Sequence, residues 1–186
     1  PDPRRRCGTA AGVPVNVVVA DFGALPDGRM AQAVTMSAGA VRATILTLGG
    51  ILQSLQMPDR DGRCAEVTLG HDDIAGYLAS RNYPGAIIGR TAGRIAGGRI
   101  SVDGVDHQLS CNEGTNTLHG GAQGFDRALW RLVSANVEDG AAVLRLTHQS
   151  PAGDEGYPGA LTVVATYRLD AAGLTLALAA TSDAPT

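Results

Sequence analysis

The apolar positions of this chain come in short runs, each closed by a turn rich in Gly, Asp or Pro. VNVVVA (15–20), VRATILTL (41–48), ILQSLQM (51–57) and AEVTLG (65–70) have the length and β-branched content of strands. GRISV (98–102), WRLVSA (130–135), AAVLRLTH (141–148), ALTVVATYRL (160–169) and LTLALAAT (174–181) continue the series. In VLRLTH and LTVVATYRL the apolar period is two, as for a sheet with one buried face. Between the runs Asp-Gly recurs at 27–28, 61–62, 103–104 and 139–140. Both residues tolerate the positive φ of a tight hairpin, so the repetition predicts antiparallel pairing. Only DDIAGYLASRN (72–82) leaves room for a turn or two of helix. The pattern predicts an all-β fold, either a sandwich or a larger antiparallel sheet assembly.

Two segments break this rhythm, NYPGAIIGRTAGRIAGGR (82–99) and LSCNEGTNTLHGGAQGFDRALW (109–130). Long irregular chain on a β scaffold costs ordering entropy, which points to functional loops. In the first, Arg90 and Arg94 stand beside glycines. A guanidinium fork there suits a carboxylate, a phosphate or vicinal hydroxyls, but on residue type alone each reads first as a surface arginine or a structural partner for Asp126 or Glu155. In the second, His119 lies in TLHGG. A neutral imidazole donates from one nitrogen and accepts at the other, which suits a hydroxyl or a ring oxygen. The flanking glycines are expected to leave space for a ligand against the ring. Taken alone, His119 reads equally as a ligand contact or as a structural histidine. His71, His107 and His148 are expected to be solvated or structural, and Asp154 and Glu155 to face water.

Composition narrows the classes further. A chain of 186 residues fits one domain with a real core. A net charge of -3 gives no electrostatic footprint for nucleic acid or an anionic membrane, and all 15 basic residues are arginine. No apolar run approaches the ~20 residues of a membrane-spanning helix. The start, PDPRRRCGTAAG, lacks the apolar middle of a signal peptide and an initiator methionine. Residues 1–20 are read as a flexible extension before a sandwich portion over 21–186, and localisation stays open between cytoplasm and export. Cys7, Cys64 and Cys111 are odd in number and far apart, so they are expected to be reduced and half-buried. His119, Glu113 and Asp126 could converge on a metal, but no metal-ligand spacing exists, nor any nucleophile elbow, P-loop or dinucleotide fingerprint. No metal or cofactor is assigned.

A set of ordered motifs adds to this picture. FGALPDG (22–28), GGILQSLQMPDRDG (49–62), EVTLGHDDIAGY (66–77), GAIIGRTAGRIAGGRISVDG (85–104), NEGTNTLHGGAQGFDRALW (112–130) and DEGYPGALTVVATYRL (154–169) together resemble the aldose 1-epimerase, or galactose mutarotase, family. The resemblance covers nearly all of the chain beyond about residue 20 and looks like the family's N-terminal half. It implies an antiparallel β-supersandwich with sugar bound in an open cleft. It also implies interconversion of the α and β anomers of free hexoses such as galactose and glucose, by acid/base ring opening without a cofactor. Carried over, Arg94 is a donor to sugar hydroxyls, and His119 assists near the ring oxygen. Gly93 stands where many members have a sugar-touching asparagine. The family's acid histidine falls on none of His71, His107 and His148, and its base glutamate on neither Glu113 nor Glu155. The chain by itself is therefore expected to be inactive, with unpaired sheet edges open to self-association. The alternative class is a non-catalytic carbohydrate-binding or degenerate β-sandwich that retains Arg94 and His119.

Overall fold

The computed structural model describes residues 14–80 and 82–186. Its first sheet contains β1 (Asn16–Ala24), β2 (Met30–Ala38), β3 (Val41–Leu46), β4 (Leu52–Pro58) and β5 (Cys64–Glu66), hydrogen-bonded in that order. After a single short helix, α1 (Ile74–Ala79), come two small ribbons. In one, β6 (Arg94–Ile95) pairs with β9 (Thr117–Leu118); in the other, β7 (Arg99–Val102) pairs with β8 (Val105–Gln108). The second large sheet is β10 (Arg131–Glu138), β11 (Ala141–Ser150), β12 (Leu161–Asp170) and β13 (Gly173–Ser182), again in sequence order. Every pairing in these sheets is antiparallel.

Each Asp-Gly pair sits between two paired strands. At 103–104 and 139–140 both residues have positive φ (51° and 79°, then 47° and 72°), as a two-residue hairpin matched to strand twist requires. The two large sheets face each other. Val34 and Met36 of β2, Ala43 and Ile45 of β3, Leu144 and Leu146 of β11, and Ala165 and Tyr167 of β12 form one core. Phe125 and Trp130, from the long irregular segment, belong to the same core. In β12 the buried residues are Val163, Ala165, Tyr167 and Leu169, with half-buried residues between them, so the period of two in its sequence is the pleat itself. A smaller cluster packs Ile74 and Tyr77 of α1 against Leu25, Leu46 and Leu48.

The sequence pattern does not predict β2, although that strand pairs with both β1 and β3. MAQAVTMSA is mostly alanine and methionine, with Val34 and Thr35 its two β-branched residues, so it falls short of the β-branched content that marks a strand. Burial, not intrinsic preference, makes it one. In the other direction, AEVTLG predicts a longer strand than forms. The Glu66 carboxylate accepts hydrogen bonds from the amides of Leu55 and Thr68 and from the Thr68 hydroxyl. These local bonds end the ladder, and Val67 and Leu69 are left 57% and 86% exposed.

Of the expected flexible extension, residues 1–13 lie outside the described residues, Cys7 among them, while 16–20 belong to β1. Cys64 is half-buried as expected but disulfide-bonded, and Cys111 is a free thiol as expected but exposed. Spacing along the chain carries no signal for such a pairing. Among the described residues no helix is long and apolar enough to cross a membrane.

Tyr167 ties the two sheets to the turn after β3. Its hydroxyl donates to the Gly50 carbonyl, and burial pushes its pKa up, so it stays a donor at neutral pH. Tyr167→Phe would leave that carbonyl buried without a partner, at a cost of about 1–3 kcal/mol. Urea unfolding should show a lower midpoint with an unchanged slope; an unchanged midpoint would mean that water replaces the hydroxyl.

Candidate functional site

The two irregular segments meet through the ribbon of β6 and β9. Its register places Arg94 opposite Leu118 and Ile95 opposite Thr117, so Arg94 and His119 lie one residue apart across the ribbon. Two further bonds lock them. The His119 amide donates to the Gly93 carbonyl at 2.9 Å, and the Gly93 amide donates to His119 Nδ1 at 3.0 Å. Because Nδ1 accepts, the proton of the neutral imidazole sits on Nε2, which remains a donor. His119 has a φ of 53°, and its ring meets Tyr83 edge-on with centroids 4.8 Å apart. Tyr83 was not singled out by the sequence; its only signal was membership of the first irregular segment.

A cleft of about 720 Å³ opens beside this lock, lined by Tyr83, Arg94, Asn112, Glu113, Asp126 and Arg127 among others. Arg94 binds Glu113 side-on, Nε to Oε2 and Nη2 to Oε1, each at 2.6 Å. The hydrogen bond first, and then the charge, holds the Glu113 carboxyl below its usual range and pushes Arg94 upward. Asp126 is a contrasting carboxylate. It is buried, and burial raises its pKa against the opposing charge of Arg127, whose Nε lies 3.3 Å from Oδ2. Arg127 is itself fixed by the carbonyls of Leu78 at 2.7 Å and Ser80 at 2.8 Å. Glu113 and Asp126 line the same cleft, beside the loop that carries His119. Among the described residues, no group of three or more His, Cys, Asp or Glu side chains is arranged to hold a metal ion.

Arg90 plays a different part from Arg94. Its Nε donates to the Ser150 hydroxyl at 3.0 Å, and Nη1 donates to the carbonyls of Pro158 and Gly159 at 3.0 and 2.9 Å. Nη2 donates to those of Ser150 and Pro151 at 2.9 and 2.8 Å, and the guanidinium lies 5.5 Å from the Tyr157 ring centroid. This is a structural anchor, although its acceptors are backbone carbonyls and the hydroxyls of Ser150 and Thr186, not Asp126 or Glu155. Glu155 departs from the expectation that it faces water. It is half-buried and accepts from the amides of Ala122 at 2.9 Å and Gln123 at 3.0 Å, bracing the loop after His119. Asp154 accepts from the Ser150 hydroxyl.

The glycines beside His119 also have a role other than the expected one. A Cβ on Gly120 would lie 1.8 Å from the Gly89 carbonyl oxygen, and one on Gly121 would lie 2.1 Å from Glu155 Oε2. Protein, not ligand, fills those spaces. The open glycine is Gly93, where an added Cβ meets nothing within 4 Å. Asn112 donates to the carbonyls of Leu118 and Gly121 and accepts from the Leu118 amide, so its side chain is a loop plug. The remaining histidines are structural. His148 lies against Phe125 and Trp130, and burial lowers its pKa; His71 sits edge-on to Tyr77; His107 is in β8.

Fold and site define an antiparallel β-sandwich protein whose irregular segments build an open polar cleft. The family model for aldose 1-epimerase matches residues 32–186. The chain is 41% identical over 159 residues to the galactose mutarotase of Bos taurus, covering 84% of this chain and 44% of that protein. It is 37% identical over 163 residues to the aldose 1-epimerase of Escherichia coli (strain K12), covering 86% and 46%. It superimposes on the crystal structure of galactose 1-epimerase from Lactobacillus acidophilus NCFM with a TM-score of 0.78 at 29% identity, covering 91% of this chain and 49% of that one. The chain belongs to the aldose 1-epimerase family, has its galactose mutarotase-like fold, and spans about half the length of the curated relatives it matches.

Two measurements check this site. Gly93→Ala and Gly120→Ala both place a side chain at positive φ (91° and 90°), which costs about 1–3 kcal/mol. Only at Gly120 does the new Cβ also strike backbone, so its urea midpoint should fall much further; equal losses would remove the steric account. Asp126 keeps its proton to higher pH in the fold than its ordinary 3.8. Its contribution to stability is therefore complete below pH 3.8 and is lost as pH rises through the folded value. The stability of Asp126→Asn relative to wild type should rise from acid toward neutral pH, and a pH-independent difference would contradict this reading.

Proposed function

We propose that this protein interconverts the α and β anomers of free aldohexoses such as galactose and glucose, with Arg94 and His119 on the sugar-binding side of the site. The observation supporting the proposal is the ribbon register: Arg94 lines the cleft, and His119 follows its cross-strand partner Leu118, with Nδ1 engaged by the Gly93 amide so that the Nε2 proton remains a donor. Anomer exchange opens a hemiacetal: the C1 hydroxyl loses a proton, the ring oxygen gains one, and rotation about C1–C2 precedes reclosure. A fixed N–H donor near the ring oxygen stabilises the negative charge that develops there without reorganising during the step. Arg94 donates to sugar hydroxyls and holds the ring against that donor. Gly93 contributes through His119, and the space above its Cα is open to a sugar or to water.

The proton-transfer pair is not assigned to any of these residues. Glu113 is engaged with Arg94, Glu155 with two loop amides, and His148 and His71 with aromatic rings. Polarimetry on freshly dissolved α-galactose tests the reading. The intact protein should speed the approach to equilibrium well beyond buffer. Galactose binding without acceleration would favour a non-catalytic carbohydrate-binding role. In the active protein His119→Ala should lower kcat on the order of 100-fold, and Arg94→Ala should mainly raise KM, by roughly 10-fold or more. Near-normal turnover in His119→Ala would remove its assigned role.

A further inference from the structure

The polar groups that line the cleft are unequally free. All three side-chain hydrogen bonds of Asn112 go to the 118–121 loop. Asp126 is buried beside Arg127, and Arg127 is held by two carbonyls. Arg94 and Glu113 differ, because their side chains are 61% and 37% exposed and, among the described residues, bind only each other. The side-on pairing uses Nε and one Nη2 proton of Arg94, so both Nη1 protons and the second Nη2 proton have no partner among the described residues. Each Glu113 oxygen accepts one bond from Arg94 and keeps further acceptor capacity. The Glu113 backbone is fixed as well: its amide donates to the Asn116 carbonyl at 3.1 Å, and the Asn116 amide donates back to the Glu113 carbonyl at 3.0 Å.

We infer that Glu113 is a second sugar-binding residue, forming with Arg94 one coplanar donor–acceptor edge that reads a pair of adjacent hydroxyls on the aldose. This rests on the sugar-binding reading above and adds to it a residue and a recognition rule. The chemistry of a vicinal diol fits such an edge. Each hydroxyl both donates and accepts, so one can take a proton from Nη1 or Nη2 while its neighbour donates to a Glu113 oxygen. A phosphate or a carboxylate would accept from Arg94 but meet like charge at Glu113, so the pair selects neutral polyols over anions. Glu113 also positions Arg94. The bidentate contact holds a long exposed side chain in one orientation before sugar arrives, which lowers the ordering cost of binding.

The test compares wild type, Glu113→Gln and Glu113→Asp in the intact protein, with galactose and its monodeoxy analogues as probes. Anomerisation is followed by polarimetry and binding by calorimetry. Glu113→Gln keeps the shape of the side chain and should raise KM and Kd for galactose about 10-fold, the scale of a charge-assisted hydrogen bond, with kcat within about twofold. Glu113→Asp, which cannot reach both Arg94 nitrogens, should fall between the two. For the deoxygalactose lacking the hydroxyl that donates to Glu113, the loss on Glu113→Gln should shrink to the smaller part that comes from positioning Arg94, which a merely structural role would not produce. Equal or tighter galactose binding by Glu113→Gln would overturn the inference, because Glu113 would then only compete with sugar for Arg94. A loss of the same size for every deoxysugar would overturn it too. Failure of the wild type to bind galactose or glucose would overturn the functional reading and this inference together, whereas wild-type binding with an indifferent variant overturns this inference alone.

Discussion

The reciprocal bonds between Gly93 and His119 are the constraint on which the cleft depends. One segment after α1 and another before β10 carry the two groups, and each contributes only a two-residue strand to the ribbon that joins them. A single residue in each supplies a donor and an acceptor to the other, which removes rotation of the imidazole and the choice of tautomer together. Everything else in the neighbourhood protects that contact. The Asn112 side chain closes the loop below it, the Glu155 carboxylate braces the loop beyond it, and Phe125 and Trp130 sink the far end into the sandwich core. Irregular backbone is thereby held as firmly as sheet, because its polar groups are satisfied side chain by side chain.

Three carboxylates surround this lock and do three different things, and burial separates them. Glu113 is half-buried at the rim and faces an exposed guanidinium, where solvent screens the charges and the pair contributes orientation more than stability. Asp126 is desolvated, and its proton affinity rises although Arg127 stands beside it. Glu155 has no arginine partner among the described residues; it accepts amide hydrogens and acts as a loop cap. Proximity to an arginine in sequence would have sorted these residues wrongly, since the adjacent pair, Asp126 and Arg127, is the one whose carboxylate gains least from its neighbour.

Much of the fold is legible from residue types, because hairpins announce themselves locally. Asp103-Gly104 and Asp139-Gly140 need positive φ at both positions, and few other dipeptides tolerate it. The alternation of β12 is legible for the same reason: one strand, one buried face. β2 is not legible, because alanine has no strong strand preference and its place is set by pairing on both sides. The site is legible only in part. Arg94 and His119 could be picked out, but Arg90 in the same IGR–AGR stretch looks identical to Arg94, and only the three-dimensional placement of the 150–159 carbonyls separates anchor from ligand group. The Gly120–Gly121 pair was open to misreading because a glycine marks close approach without saying what approaches. Here it is a carbonyl and a carboxylate.

The Arg90 anchor bears on how the cleft responds when the sandwich loosens. Four of its acceptors, the carbonyls of residues 150, 151, 158 and 159, come together only when β11 and β12 have paired and the turn between them has closed. The segment that carries Gly93 and Arg94 therefore lacks this anchor until β11 and β12 have paired. Loosening of that pair would release the segment behind the cleft as well, so the stability of the cleft is tied to that of the second sheet.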